Sequence, residues 1–239
     1  MRPINKGNSP YNTIKSYPEA LPYLEERIGL YCSYCELPIF HVPEVEHVVS
    51  KSRGGNRTEW DNLLLGCKYC NTRKGNAVGP ENKETFLWPD ENNTALVYSY
   101  EDGIPKVNEK KILEIDPSGK TLNRAKNLFD LVKLDNVPVG SDKDHRFRKR
   151  NEAYVTARES LKNWIQIKGT TAEEPLEKQI LISAKAVGFF SIWMEVFQKE
   201  PDIKKALIKE FPGTENRFFT DDGKVRKIIS LREAKGNTY

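Results

Sequence analysis

Hydrophobic positions change period several times along this 239-residue chain, and each change marks an expected element. Residues 1–12 are rich in Pro, Gly and Asn without periodicity, which reads as an extended arm on the surface. Pro18 opens a short helix that carries Leu21, Leu24 and Ile28 on one face and stops at Gly29. Residues 37–50 alternate loosely around Pro38 and Pro43, as two short strands would, with Val45, His47 and Val49 on one face and Glu46 and Val48 on the other. The run DNLLLGCKYCNTRKG from Asp61 reads as a turn leading into a short helix over 68–74, closed by glycine. Further on, FLWPDENN and TALVYSYEDGIPKV suggest a hairpin that turns at Asp102 and Gly103.

Beyond residue 120 the period becomes helical. Leu122, Ala125, Leu128, Phe129 and Val132 predict a helix over 121–134, with Gly119 and Thr121 at its start. Ala153, Tyr154, Ala157, Leu161, Trp164 and Ile165 predict a second, in RFRKRNEAYVTARESLKNWIQI. A third is expected over 172–198 and a fourth over 201–211, with Pro201 near its start. The tail from Asp221 reads as one strand that then frays. Phe189, Phe190, Trp193 and Phe197 cover more than one helix face, so they are expected in a core, with a partner contact as the alternative. The pattern is α+β, and the composition shift after Gly79 and Pro80 divides it into an N-terminal unit, 1–79, and a mostly helical region with a small hairpin, 80–239.

Composition narrows the function classes. A hydrophobic fraction of 38% and a charged fraction of 30% suit a soluble globular protein, and no apolar run approaches the ~20 residues of a membrane span. The N-terminus lacks the apolar core of a secretory signal, which predicts a cytoplasmic protein. The net charge of +4 is mild, so the distribution of charge matters more than its sum. Residues 120–168 hold twelve Lys or Arg against six acids, and Arg146, Arg148, Lys149 and Arg150 form either part of a nucleic-acid-binding face or a solvated helix start.

The only four cysteines form two Cys-x-x-Cys pairs, Cys32/Cys35 and Cys67/Cys70. A reducing compartment and doubled spacing favour a closed, structural four-thiolate zinc site over disulfides or four independent buried cysteines. A redox pair fits less well, because the motif occurs twice and outside any βαβ pattern.

Glu46-His47, Gly54-Gly55, Asp61-Asn62-Leu63 and Cys67-x-x-Cys70-Asn71-x-x-Lys74 follow in order. Over residues 30–79 this constellation resembles HNH endonucleases of the ββα-metal class, in their zinc-bound subset. The resemblance implies that His47 is the general base and that Glu46 and Asn71 hold a catalytic Mg²⁺ or Mn²⁺. It also implies that Asn62 braces the intervening loop. Lys51, Arg53, Arg73 and Lys74 are the expected nucleic-acid contacts. The third motif letter is Asn71 rather than His, which keeps a metal site but alters its donor, and Ser50 stands where many members carry Pro.

The helical half, near 128–135 and 188–193, resembles HNH proteins of bacterial anti-phage systems, the Septu-type (PtuB-like) nuclease subunits, which work with an ATPase partner. The resulting expectation is a metal-dependent endonuclease acting on DNA within such a system. A non-catalytic zinc module that binds nucleic acid and a stand-alone restriction or homing-type nuclease are the competing readings.

Overall fold

The computed structural model describes residues 1–231. Its N-terminal part is built on a two-stranded antiparallel hairpin, β1 (Glu44–His47) and β2 (Leu63–Gly66), followed directly by helix α2 (Lys68–Lys74). Glu44 pairs with Gly66, Val45 with Leu65, Glu46 with Leu64 and His47 with Leu63. Helix α1 (Leu21–Ile28) buries Leu24 and Ile28 and ends at Gly29, as its apolar spacing predicts.

The partner of β1 differs from the sequence expectation. Residues 37–42 form no strand, only a bridge between Tyr31 and Pro38, and the second strand is the leucine run 63–66. Leu63, Leu64 and Leu65 are all fully buried, so the run lacks the two-residue alternation that marks a half-exposed strand. Each such leucine contributes about 1.5–3 kcal/mol on burial, enough to fix the register of so short a hairpin.

A second small hairpin, β3 (Tyr98–Ser99) and β4 (Lys106–Val107), follows a single helical turn, α3 (Thr94–Val97). Its turn runs through Asp102 and Gly103, both at positive φ. Helices α4 (Glu109–Ile115) and α5 (Lys120–Leu131) pack beside it. The remainder is a helical layer in which α6 (Arg146–Ile167) lies on α7 (Glu173–Val187) and α8 (Phe190–Val196), and α9 (Pro201–Glu210) closes against α7 and α8.

The single helix expected over 172–198 is broken in two. Between α7 and α8 Gly188 (φ 73°, ψ −150°) and Phe189 (φ 56°, ψ 53°) both have positive φ, with Phe189 in the left-handed helical region. At Gly188 a Cβ would approach Pro38 to 2.7 Å and the Glu36 carbonyl to 2.8 Å, and the Phe189 amide donates to that carbonyl at 3.1 Å. The break is imposed by residues some 150 positions upstream, which no local period encodes.

Two further expectations change, those for the N-terminal arm and the tail, and one holds. The N-terminal arm is not a surface segment: Met1 and Ile4 are buried, Ile4 bridges Thr214, and the Arg2 guanidinium donates to the Ile28 carbonyl at 2.7 Å. Phe189, Phe190, Trp193 and Phe197 all lie in the core, as expected. The tail makes bridges at Phe219–Val225 and Asn92–Ser230 rather than a strand, and the fraying expected beyond falls outside the described residues. One hydrophobic cluster runs from Met1 to Ile229 and includes residues on both sides of position 79.

Candidate metal centre and active site

The segment between Cys32 and Cys35 is held as a knuckle by Glu36 N donating to the Cys32 carbonyl at 2.9 Å and Cys32 N to the Leu37 carbonyl at 3.0 Å. Ser33 N donates to the Leu65 carbonyl at 2.8 Å, which docks the knuckle on β2. Cys67 caps α2, its sulfur accepting from Cys70 N at 3.4 Å. All four cysteines are buried, and their sulfurs lie within 4.8 Å of one another. Cys35 Sγ and Cys67 Sγ are 3.6 Å apart. Four thiolates around one ion with bonds of ~2.3 Å would stand about 3.8 Å apart, so the cluster has the spacing of a tetrahedral metal–sulfur site, a donor set that suits zinc. Burial raises the Cys32 thiol, yet hydrogen bonds with Cys35, Cys67 and Cys70 outweigh it and hold Cys32 well below the usual thiol range, while sharing with Cys32 and Cys35 pushes Cys67 well above.

Arg146, at the first turn of α6, donates to Cys70 Sγ at 3.2 Å. Its other bonds go to Asp144 and to the carbonyls of Val132 and Lys133. Arg146 and Arg150 are both 1% exposed, so half of the basic cluster expected on a nucleic-acid face braces the interior instead.

Beside the cysteine cluster, β1 and α2 border an open cavity of about 640 Å³ lined by Glu44, Glu46, His47, Lys51, Arg57, Lys68 and Asn71. The structure therefore brings His47, Glu46 and Asn71 to one pocket. His47 Nε2 lies 3.0 Å from the Arg57 carbonyl. A carbonyl only accepts, so Nε2 carries the proton and Nδ1 is left with its lone pair. Burial lowers the His47 pKa below the usual imidazole value, more than the Arg57 carbonyl raises it, and the Tyr17 ring packs edge-on at 4.9 Å.

Glu46 is 2% exposed. Its carboxylate accepts from the Tyr34 hydroxyl, and Lys74 Nζ stands 2.8 Å from its other oxygen. Burial, and after it the Glu46 charge, holds the Tyr34 phenol well above its normal pKa, so it remains a donor. Asn71 Nδ2 donates to Glu44 Oε2 at 2.6 Å, which orients the amide and frees Oδ1 for another partner. A Cβ on Gly66 would stand 3.2 Å from Glu46 Cβ and 3.6 Å from Asn71 Cβ, so the two side chains share the space above that glycine. Asn62 spans the loop between the strands, accepting from Val49 N at 2.7 Å and donating to the carbonyls of Asn56 (2.7 Å) and Val49 (3.1 Å).

Of the four expected nucleic-acid contacts, only Lys51 is exposed in the pocket, with its ammonium 4.1 Å from the Tyr17 ring centroid. Lys74 is a correction: it is 2% exposed and its ammonium is committed to Glu46 and to the His47 carbonyl at 2.6 Å. Arg53 is paired with Glu81, and Arg73 lies 3.5 Å from Asp142. Exposed Arg57 and Lys68 line the cavity in their place, together with half-buried Glu44. The signal for Glu44 and Lys68 was spacing: Glu44 sits two residues before Glu46 on a strand, and Lys68 three before Asn71 on a helix.

Residues 32–77 match the family model of the HNH endonuclease. No curated protein and no solved structure gives a match. Among the described residues no helix is long and apolar enough to cross a membrane.

Proposed function

We propose that the HNH endonuclease domain of this chain hydrolyses DNA phosphodiesters, with His47 as general base. The observation that carries the reading is the His47 tautomer: Nε2 is spent on the Arg57 carbonyl, which leaves Nδ1 as the acceptor in a pocket shared with Glu46 and Asn71. A neutral imidazole takes a proton from an attacking water at that atom, and burial favours the neutral form. Lys51, Arg57 and Lys68 border the same cavity and are placed to meet the phosphate and its neighbours. Glu46 and Asn71 Oδ1, with Glu44 adjoining, form an oxygen donor set that suits Mg²⁺ or Mn²⁺ better than a soft metal. Such an ion, when bound, supplies positive charge to the scissile phosphate and the leaving oxygen. Zinc is the proposed ion of the four-cysteine cluster, in a closed site without an open position.

The non-catalytic reading is favoured by one observation: the Glu46 carboxylate is already engaged by Tyr34 and Lys74. The two readings separate on the purified protein. Nicking of supercoiled plasmid with Mg²⁺ or Mn²⁺, abolished in His47→Ala and accompanied by Mn²⁺ binding that weakens in Glu46→Gln, supports the enzyme; wild-type rates in His47→Ala refute it. Within a bacterial anti-phage system, the role supported by the resemblance of the helical half, the nuclease acts with an ATPase partner. Co-purification with an ATPase encoded next door, and nicking that depends on it, is the corresponding test; nicking that needs no partner points to a stand-alone enzyme.

A further inference from the structure

A second cavity, of about 330 Å³, shares no lining residue with the His47 pocket. It opens between the β3–β4 hairpin, α8, α9 and the 219–225 segment. Its size is that of a small-molecule site.

Lys204 of α9 lines this cavity and is only 7% exposed. Among the described residues its ammonium has neither a hydrogen-bond nor an ion-pair partner. The stem is fixed, because the turn at Gly223 lies against it: a Cβ there would come within 2.9 Å of Lys204 Cβ. Burial pushes the amine below the ordinary lysine pKa, with Asp222 only partly opposing it. Lys6 with Asp90, Lys74 with Glu46 and Arg146 with Asp144 are buried ion pairs, and buried Arg2 and Arg150 donate to main-chain carbonyls. Its stem is buried while the ammonium opens into the cavity, so an incoming anion would meet a positive charge that no other group among the described residues contacts.

The rest of the lining says what kind of anion. Lys111, Lys224 and Lys227 stand at the same cavity against one lining carboxylate, Glu195. Lys224 and Lys227 are themselves exposed and reach Asp222 and Glu114, at 2.6 and 3.8 Å, only as surface pairs. Four lysines around one small cavity suit a ligand with several anionic oxygens rather than a single carboxylate. Leu96, Tyr98, Phe190, Met194 and Phe219 give the lining an apolar and partly aromatic part that has nothing to offer an inorganic ion. Asn108 and Gln198 also line the cavity.

We infer that this cavity binds a small organic phosphate, its anionic oxygens on Lys204 and the neighbouring lysines and its flat, apolar part against the Tyr98–Phe190–Phe219 wall. A mononucleotide has both parts. The site stands apart from the nuclease reading and does not depend on it.

The test is calorimetric titration and thermal denaturation of the full chain, without added divalent ions, using AMP, ATP, inorganic phosphate and pyrophosphate as probes. AMP or ATP should bind saturably and raise Tm, with inorganic phosphate and pyrophosphate at least tenfold weaker. Lys204→Met keeps the packed stem and removes the charge, so nucleotide affinity should fall at least tenfold while the ligand-free Tm equals or exceeds wild type. Lys224→Glu, at the exposed rim, gives a second variant whose folding is not in question and should also weaken binding. His47→Ala should bind as wild type does. Absence of binding by every probe, wild-type affinity in both lysine variants, or inorganic phosphate binding as tightly as AMP would overturn the assignment.

Discussion

At His47 a single main-chain contact sets the tautomer on which the proposed chemistry depends. Because the Arg57 carbonyl can only accept, it fixes which imidazole nitrogen holds the proton. His47→Ala should therefore lower the nicking rate by about 10²–10⁴-fold, the usual contribution of a general base, with unchanged circular dichroism and DNA affinity. Lys74 calls for a different experiment. Its charge offsets that of a carboxylate buried to the same degree, so Lys74→Met should destabilise the fold by about 3–5 kcal/mol in urea unfolding. Pairing it with Glu46→Gln should recover a large part of that loss, because the double variant leaves no buried charge unmatched. A simple phosphate contact would instead show weaker DNA binding with stability intact.

The residues of this site were unequally legible in the sequence. Cys32, Cys35, Cys67, Cys70, His47, Glu46 and Asn71 stand at spacings that carry meaning without coordinates, and the structure gathers them into two adjacent sites. Lys74 and Arg146 were not legible, since nothing in a basic residue's position says whether its charge faces water or a buried carboxylate. Tyr34 belongs to the same class: its hydroxyl meets Glu46 only because the knuckle docks on β2.

Among the elements, the β1–β2–α2 unit works because Gly66 leaves room. Gly66→Ala places a methyl 3.2–3.3 Å from Glu46 Cβ and Cγ. The expected outcome is a lowered rate and weaker Mn²⁺ binding together with a lowered Tm, since moving Glu46 disturbs its buried pair with Lys74. Helix α2 came out at the predicted residues because Cys67 caps it and Gly75 closes it, both local signals. The second strand and the break between α7 and α8 were not local. One depends on burial of both faces of a leucine run, the other on contact with Glu36 and Pro38, so hydrophobic period alone misassigns both.

On the scale of the molecule, the cysteine cluster is where the two halves of the chain are tied. Arg146 reaches Cys70 from α6, and Glu36, one residue past Cys35, accepts from Ser191 N at 2.8 Å and Ser191 Oγ at 2.6 Å at the start of α8. Stripping the metal with a strong chelator should therefore lower the melting temperature of the whole protein in one cooperative step rather than melt a small unit alone. Arg146→Met, which removes the contact with Cys70 and leaves buried Asp144 only the side chains of Asn136 and, at the longer distance of 3.9 Å, Arg73, should lower Tm and release zinc to a chromogenic chelator at lower concentration than wild type does.

The bond from Ser191 to Glu36 bears on how such a chain can be recombined. A nuclease cassette cut at the compositional boundary near residue 80 would carry away the carboxylate but leave its hydroxyl and amide donors behind, and would expose the Cys70 sulfur that Arg146 covers. Shuffling this segment onto a foreign helical scaffold preserves the motif residues and loses the grip on the knuckle beside them. Any scaffold accepting it must supply a cation to Cys70 and a donor pair to Glu36, so the helical half constrains which nuclease cassettes it can carry.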